Sequence, residues 1–128
     1  MQVRKIENNT SFGINSIKFI NKDAKNTFDI IYSDKSLKKI HNTIDKIKNL
    51  KPKKAPDFDI YISKVNNDHN FPELAVGYIN RDGSRLLNCE IVGNQGDVID
   101  TVYPNLNDFY KACKRVVKNV DKMFKNRG

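Results

Sequence analysis

The stretch ELAVGYINRDGSRLLNCEIVG, Glu73 to Gly93, places an Asp82-Gly83 pair between two apolar-rich runs. Asp-Gly is a favoured pair for a two-residue type I′ turn, whose twist matches that of the strands it joins. A turn at that point fixes the register of the whole hairpin, with Arg81 opposite Ser84. Counting back from it puts Leu74, Val76 and Tyr78 on the same face as Leu87, Cys89 and Ile91. Ala75, Gly77 and Ile79 then share the other face with Leu86, Asn88 and Glu90. The same two-residue period marks DFDIYISKV: Phe58, Ile60 and Ile62 fall on one side, and Asp59, Tyr61 and Ser63 on the other.

Elsewhere the period lengthens to that of a helix. Ser36 suits an N-cap, and after it Leu37, Ile40, Ile44, Ile47 and Leu50 recur at steps of three and four until Pro52 and Pro56 stop the pattern. A second helix follows Pro104, capped by Asn105 or Asn107. Its apolar face is Leu106, Phe109, Cys113, Val116, Val117, Val120 and Phe124. Ile14 to Ile20 and Thr27 to Tyr32 read as a first hairpin with a turn through Lys22 to Lys25, and Asp97 to Tyr103 as a short last strand.

The order is therefore ββαββββα. Strands this close together with no helical crossover between them favour antiparallel pairing, so the expectation is an α+β two-layer sandwich with a mostly antiparallel sheet and two basic amphipathic helices on one face. At 128 residues the chain reads as a single domain over 1–128. The first 12 residues form an N-terminal arm, and 51–56 a Pro/Lys-rich linker after the first of the two helices. MQVRKIENNTSFG lacks the apolar stretch of a signal peptide or anchor, and nothing approaches the ~18 apolar residues of a membrane span. A mean hydropathy of -0.64 implies a thin core. Cys89 and Cys113 both fall at core spacing, which points to reduced thiols and a cytoplasmic location.

Charge is unevenly distributed. Lys35 to Lys54 holds eight Lys against Asp45, and Lys111 to Arg127 holds seven basic residues against Asp121, whereas Ala55 to Tyr110 sums to -6 within a chain of net +8. With Asp59 and Glu90 pointing away from the helices, the molecule would be electrically two-sided. A focused positive surface concentrates polyanions, and neutralising phosphates supplies most of a non-specific nucleic-acid affinity. The contact set is Lys38, Lys39, Lys46, Lys48, Lys53, Lys54, Lys111, Lys114, Arg115, Lys118 and Lys122. A solvated face is the competing account, because eighteen Lys against five Arg is an unusual balance for a reader of base edges.

Catalytic signals are weak. His41 sits off the centre of a helical stripe, and His69 lies beside Asp68 in a loop with no nucleophile motif. The two Cys and two His are too far apart in sequence for the close pairs a zinc site uses. Gly93 and Gly96 precede a strand pattern, not a helix, so they suit a tight connection better than a phosphate loop. Tyr61 and Tyr103, beside the small Ala75 and Gly77 on the outward sheet face, are candidates for a second contact surface. Cover by a further element such as the N-terminal SFGIN is the favoured account, since the negative charge on that face opposes a nucleic-acid backbone. The expectation is a non-enzymatic binding protein without cofactor, metal or membrane, whose partner is nucleic acid or a ribonucleoprotein. A protein-binding inhibitor or adaptor is the alternative.

Overall fold

A computed structural model describes residues 14–53, 55, 58–66, 71–79, 86–93 and 103–125. In chain order the elements are β1 (Ile14–Phe19), α1 (Lys22–Ile31), α2 (Leu37–Lys48), β2 (Phe58–Lys64), β3 (Leu74–Ile79), β4 (Leu86–Ile91) and α3 (Leu106–Lys125). The strands lie side by side in the order β1-β2-β3-β4. β2/β3 and β3/β4 are antiparallel, but β1 runs parallel to β2, so the sheet is mixed and not mostly antiparallel as expected.

The parallel pair has a local cause. Thr27 to Tyr32 is not a strand; it is the C-terminal part of α1 and its cap. The Asn21 side chain accepts the Ala24 N–H at 2.9 Å and starts the helix, and Ala24, Thr27, Phe28 and Ile31 then recur at steps of three and four and are all buried. With α1 and α2 in tandem between them, β1 and β2 are joined by a crossover long enough for parallel pairing. The last expected strand, Asp97 to Tyr103, lies outside the described residues except for Tyr103, which belongs to no strand. The arm over residues 1–12 and the Asp82-Gly83 turn also lie outside them.

β2 follows its sequence pattern: Phe58, Ile60 and Ile62 are buried, and Asp59, Tyr61 and Ser63 are half-buried. On β3 the same face continues through Leu74 and Val76, both fully buried. Near the hairpin end Ile79 pairs with Leu86 and Tyr78 with Leu87, the register a two-residue turn at Asp82-Gly83 demands. Then the alternation slips. Val76 faces Glu90 and Ala75 faces Ile91, because β4 carries one extra residue in a β-bulge.

Asn88, at φ 54°, occupies the left-handed region there, and its amide donates to Met123 Sδ at 2.9 Å. Asn tolerates this backbone better than most residues with a side chain. Opposite the slip, Gly77 has no room for a side chain, since a Cβ would lie 2.9 Å from both Leu86 Cγ and the Leu87 carbonyl oxygen.

The bulge moves side chains between faces. Glu90 turns toward the helices instead of outward, and Cys89 is exposed instead of joining the core. Cys113 of α3 is fully buried, as its spacing requires. Burial holds the Cys113 thiol well above the ordinary thiol range, against a smaller opposing pull from Arg115. Cys89 is also raised, by partial burial and then by Glu90. The folded protein should therefore take up one equivalent of an alkylating reagent, at Cys89, faster as pH rises, and Cys113 should react only on unfolding. Two fast equivalents from the native state would contradict this placement.

The sign of the linkage follows from the same burial. A folded state that holds the Cys113 proton more tightly than the unfolded chain keeps its full benefit below the ordinary thiol pKa. It loses that benefit as pH climbs above about 8.5 toward the folded value.

The core is one cluster enclosed by the three helices and the sheet, with Ile47, Ile60, Val76, Phe109, Val116 and Val120 at its centre. Phe28 of α1 packs edge-on to Phe109 of α3, ring centres 5.6 Å apart, and the Tyr32 hydroxyl donates to the Asn105 carbonyl at 3.3 Å. These contacts hold α1 against the start of α3.

Candidate nucleic-acid interface

α2 begins where its sequence says. Ser36 accepts the Lys39 N–H at 3.2 Å, and Asn49 closes the other end. Ile47 is fully buried and Ile40 and Ile44 half-buried, but Leu37 is 73% exposed, so the apolar stripe does not reach the first turn. α3 begins with a reciprocal cap. Asn105 Oδ1 accepts the Asp108 N–H at 2.8 Å while Asp108 Oδ2 accepts the Asn105 N–H at 3.0 Å, which settles the choice between Asn105 and Asn107.

Beyond the shared core, a cation–π contact and two hydrogen bonds join α2, and the segment after it, to α3. The Lys46 ammonium lies 4.6 Å from the centre of the Tyr110 ring, a cation–π contact worth about 0.5–1 kcal/mol at an exposed site. Asp121 then accepts the backbone N–H of Lys53 at 2.6 Å and of Ala55 at 2.9 Å. Pro52 and Ala55 are buried. The 51–56 segment, as far as it is described, is therefore laid along α3 and is no free tether. Asp121, the lone acid of the Lys111 to Arg127 run, acts as its clasp.

The structure places the basic residues as follows. Lys38, Lys39, Lys46, Lys48, Lys53, Lys111, Lys114, Arg115, Lys118 and Lys122 are all exposed, and Lys54 lies outside the described residues. At about 100° per residue, Lys111, Lys114, Lys118 and Lys122 fall within roughly 80° of one another, opposite the buried side of α3. On α2, Lys39 and Lys46 share the flank that meets Tyr110, Lys38 is outermost, and Lys48 lies on the far flank.

Arg115 stands apart from the lysines. Its Nε donates to Glu90 Oε1 at 2.7 Å and a terminal nitrogen to the Ile91 carbonyl at 3.2 Å, while Asn119 donates to the other Glu90 oxygen at 3.1 Å. Glu90, expected on the outward face, is thus the anchor of α3 on β4. Asp59 does lie on the outward face, but Ser16 donates to it at 2.8 Å and Lys18 sits 3.4 Å away. With one acid turned inward and the other beside a lysine, the expected negative face shrinks.

The two tyrosines do not form a common platform on the strands. Tyr61 is half-buried on β2, opposite Gly77, whereas Tyr103 precedes α3 and packs on Phe71, ring centres 5.2 Å apart. His41 is exposed on α2, and His69 and Gly96 lie outside the described residues. Gly93, at φ 96°, closes against Pro104 as a tight connection would. Among the described residues no three His, Cys, Asp or Glu side chains are grouped to hold a metal ion, and no helix is long and apolar enough to cross a membrane. No family model, curated protein or solved structure matches the chain.

Tyr110 and Asp121 are the members of this surface that the sequence reading missed. Both fall on the flank of α3 beside Val117 at about 100° per residue, a position readable from sequence. That α2 and the segment after it would lie against that flank is tertiary information.

Proposed function

We propose that this protein is a small, cytoplasmic, non-enzymatic binding protein whose α2 and α3 form a basic layer that contacts nucleic acid or a ribonucleoprotein. The observation that supports this most is the junction of the two helices. Because Lys46 rests on Tyr110, the α2 flank that carries Lys39 and Lys46 and the lysine row of α3 belong to neighbouring surfaces and their fields add. The acids on the two flanks of the α3 row, Asp121 and Glu90, are both bonded into the fold, and on α2 the exposed Asp45 offsets the charge of only one of the surrounding lysines. Lysines that outnumber the acids around them suit phosphate contact.

The second reading is a protein-binding adaptor or inhibitor. Leu37, 73% exposed, and Ile30, 50% exposed, favour it as apolar side chains open to a partner. Elution from heparin and from immobilised random DNA separates the two. Retention that falls steeply with salt on both matrices supports the first; passage through both columns at ~50 mM salt supports the second.

A further inference from the structure

Which form of nucleic acid the surface suits depends on what its side chains can still do once the fold has used them, and three observations bear on that. Arg115 is the only guanidinium in the helical contact set, and reading a guanine edge calls for the paired donors of an arginine or a lysine set into the groove. Its Nε and one terminal nitrogen are already bonded to Glu90 and the Ile91 carbonyl, which fixes the group on the flank that faces β4. Tyr110 is the aromatic ring at the α2/α3 junction. Lys46 covers one of its faces and the ring is half-buried against the core, which leaves it little surface on which a base could stack.

The lysines that remain form a row. From Lys111 to Lys122 it extends about 16 Å along α3, with α2 packed alongside, helix axes in such pairs lying ~8–10 Å apart. Over about 16 Å a DNA duplex presents roughly ten phosphates and one of its strands roughly five. With little stacking to compensate a single strand, the electrostatic contact selects the denser charge.

Resting on the nucleic-acid reading above, we propose that the α2/α3 surface binds the sugar–phosphate backbone of a double helix and does not read its sequence. The occupant is a duplex, and its shared chemistry is the paired phosphate rows that DNA and RNA duplexes both offer.

The test is a set of affinities of the unmodified protein at one fixed salt concentration. The probes are two 20-base-pair DNA duplexes of unrelated sequence, an RNA duplex of equal length, and the separated strands of each. Unrelated duplexes should bind within about threefold of one another, and each separated strand at least about fivefold more weakly than its duplex, in line with the lower charge density of one strand. Comparison of the DNA and RNA duplexes then identifies the source. Equal or tighter binding of a single strand would overturn the inference while leaving the nucleic-acid reading in place. So would a preference of about tenfold or more for one DNA sequence over the other, because direct base contacts of that strength need free donors. Binding of none of the probes would overturn both.

Discussion

Phe109→Ala should lower folding stability by about 3–5 kcal/mol, the usual cost of emptying a buried aromatic site. Phe109 is 1% exposed at the start of α3, with Phe28 of α1 at 5.6 Å and Tyr32 at 6.3 Å between ring centres. Its removal leaves a cavity where α1 meets α3 and strips Phe28 and Tyr32 of a shared partner. Domains of this size have only about 5–15 kcal/mol in total, so the variant should melt roughly 10 °C or more below the parent. Leu37→Ala is the matched control. Both residues sit on the sequence-derived stripes of their helices, yet Leu37 is exposed and its removal should change stability by under ~0.5 kcal/mol. Thermal melts of the two variants measure the difference; a large loss from Leu37→Ala would place the first turn of α2 against something.

That contrast shows what was legible. Features set by a few neighbouring residues were readable: Ser36 as a cap, the apolar face of α3 around Phe109 and Val116, and the alternation from Phe58 to Ile62. The register at Tyr78 and Leu87 was readable too, because a two-residue turn leaves little choice. Where several residues satisfy two patterns at once, local reading failed. Phe28, Ile30, Ile31 and Tyr32 make a short apolar run that fits a strand or a buried helix end, and the deciding signal was the Asn21 cap several residues upstream.

The face of Cys89 and Glu90 turned on a single inserted residue. A polar Asn88 in the middle of an apolar strand was the visible clue, but alternation counted through it puts every later side chain on the wrong side. The error reached the candidate site, since it assigned Glu90 to an acidic outer face instead of to Arg115. The clasp between Asp121 and the Lys53 and Ala55 amides had no sequence signature, because it joins segments 66 residues or more apart.

The second large effect concerns the basic layer itself, and its test must spare the lysines and arginine that hold the fold. Lys46 has Tyr110 and Arg115 has Glu90, so the informative variant changes Lys38, Lys39, Lys114 and Lys118 to Gln. All four are exposed, and their replacement should shift stability by no more than ~0.5 kcal/mol each. If each contacts one phosphate, nucleic-acid affinity at fixed salt should fall by orders of magnitude, and the plot of log K against log salt should flatten by about three to four units. Changing Lys64, exposed on β2 and away from α2 and α3, should leave the slope as it is.

The decisive measurement is that slope, taken for the parent and the four-lysine variant on the same DNA duplex. A steep parent slope that falls by about three to four units in a variant of unchanged melting temperature is the predicted result. A parent with no salt-sensitive binding at ~50 mM, or a variant whose slope equals the parent's, would make the lysines of α2 and α3 a solvated face and contradict the account.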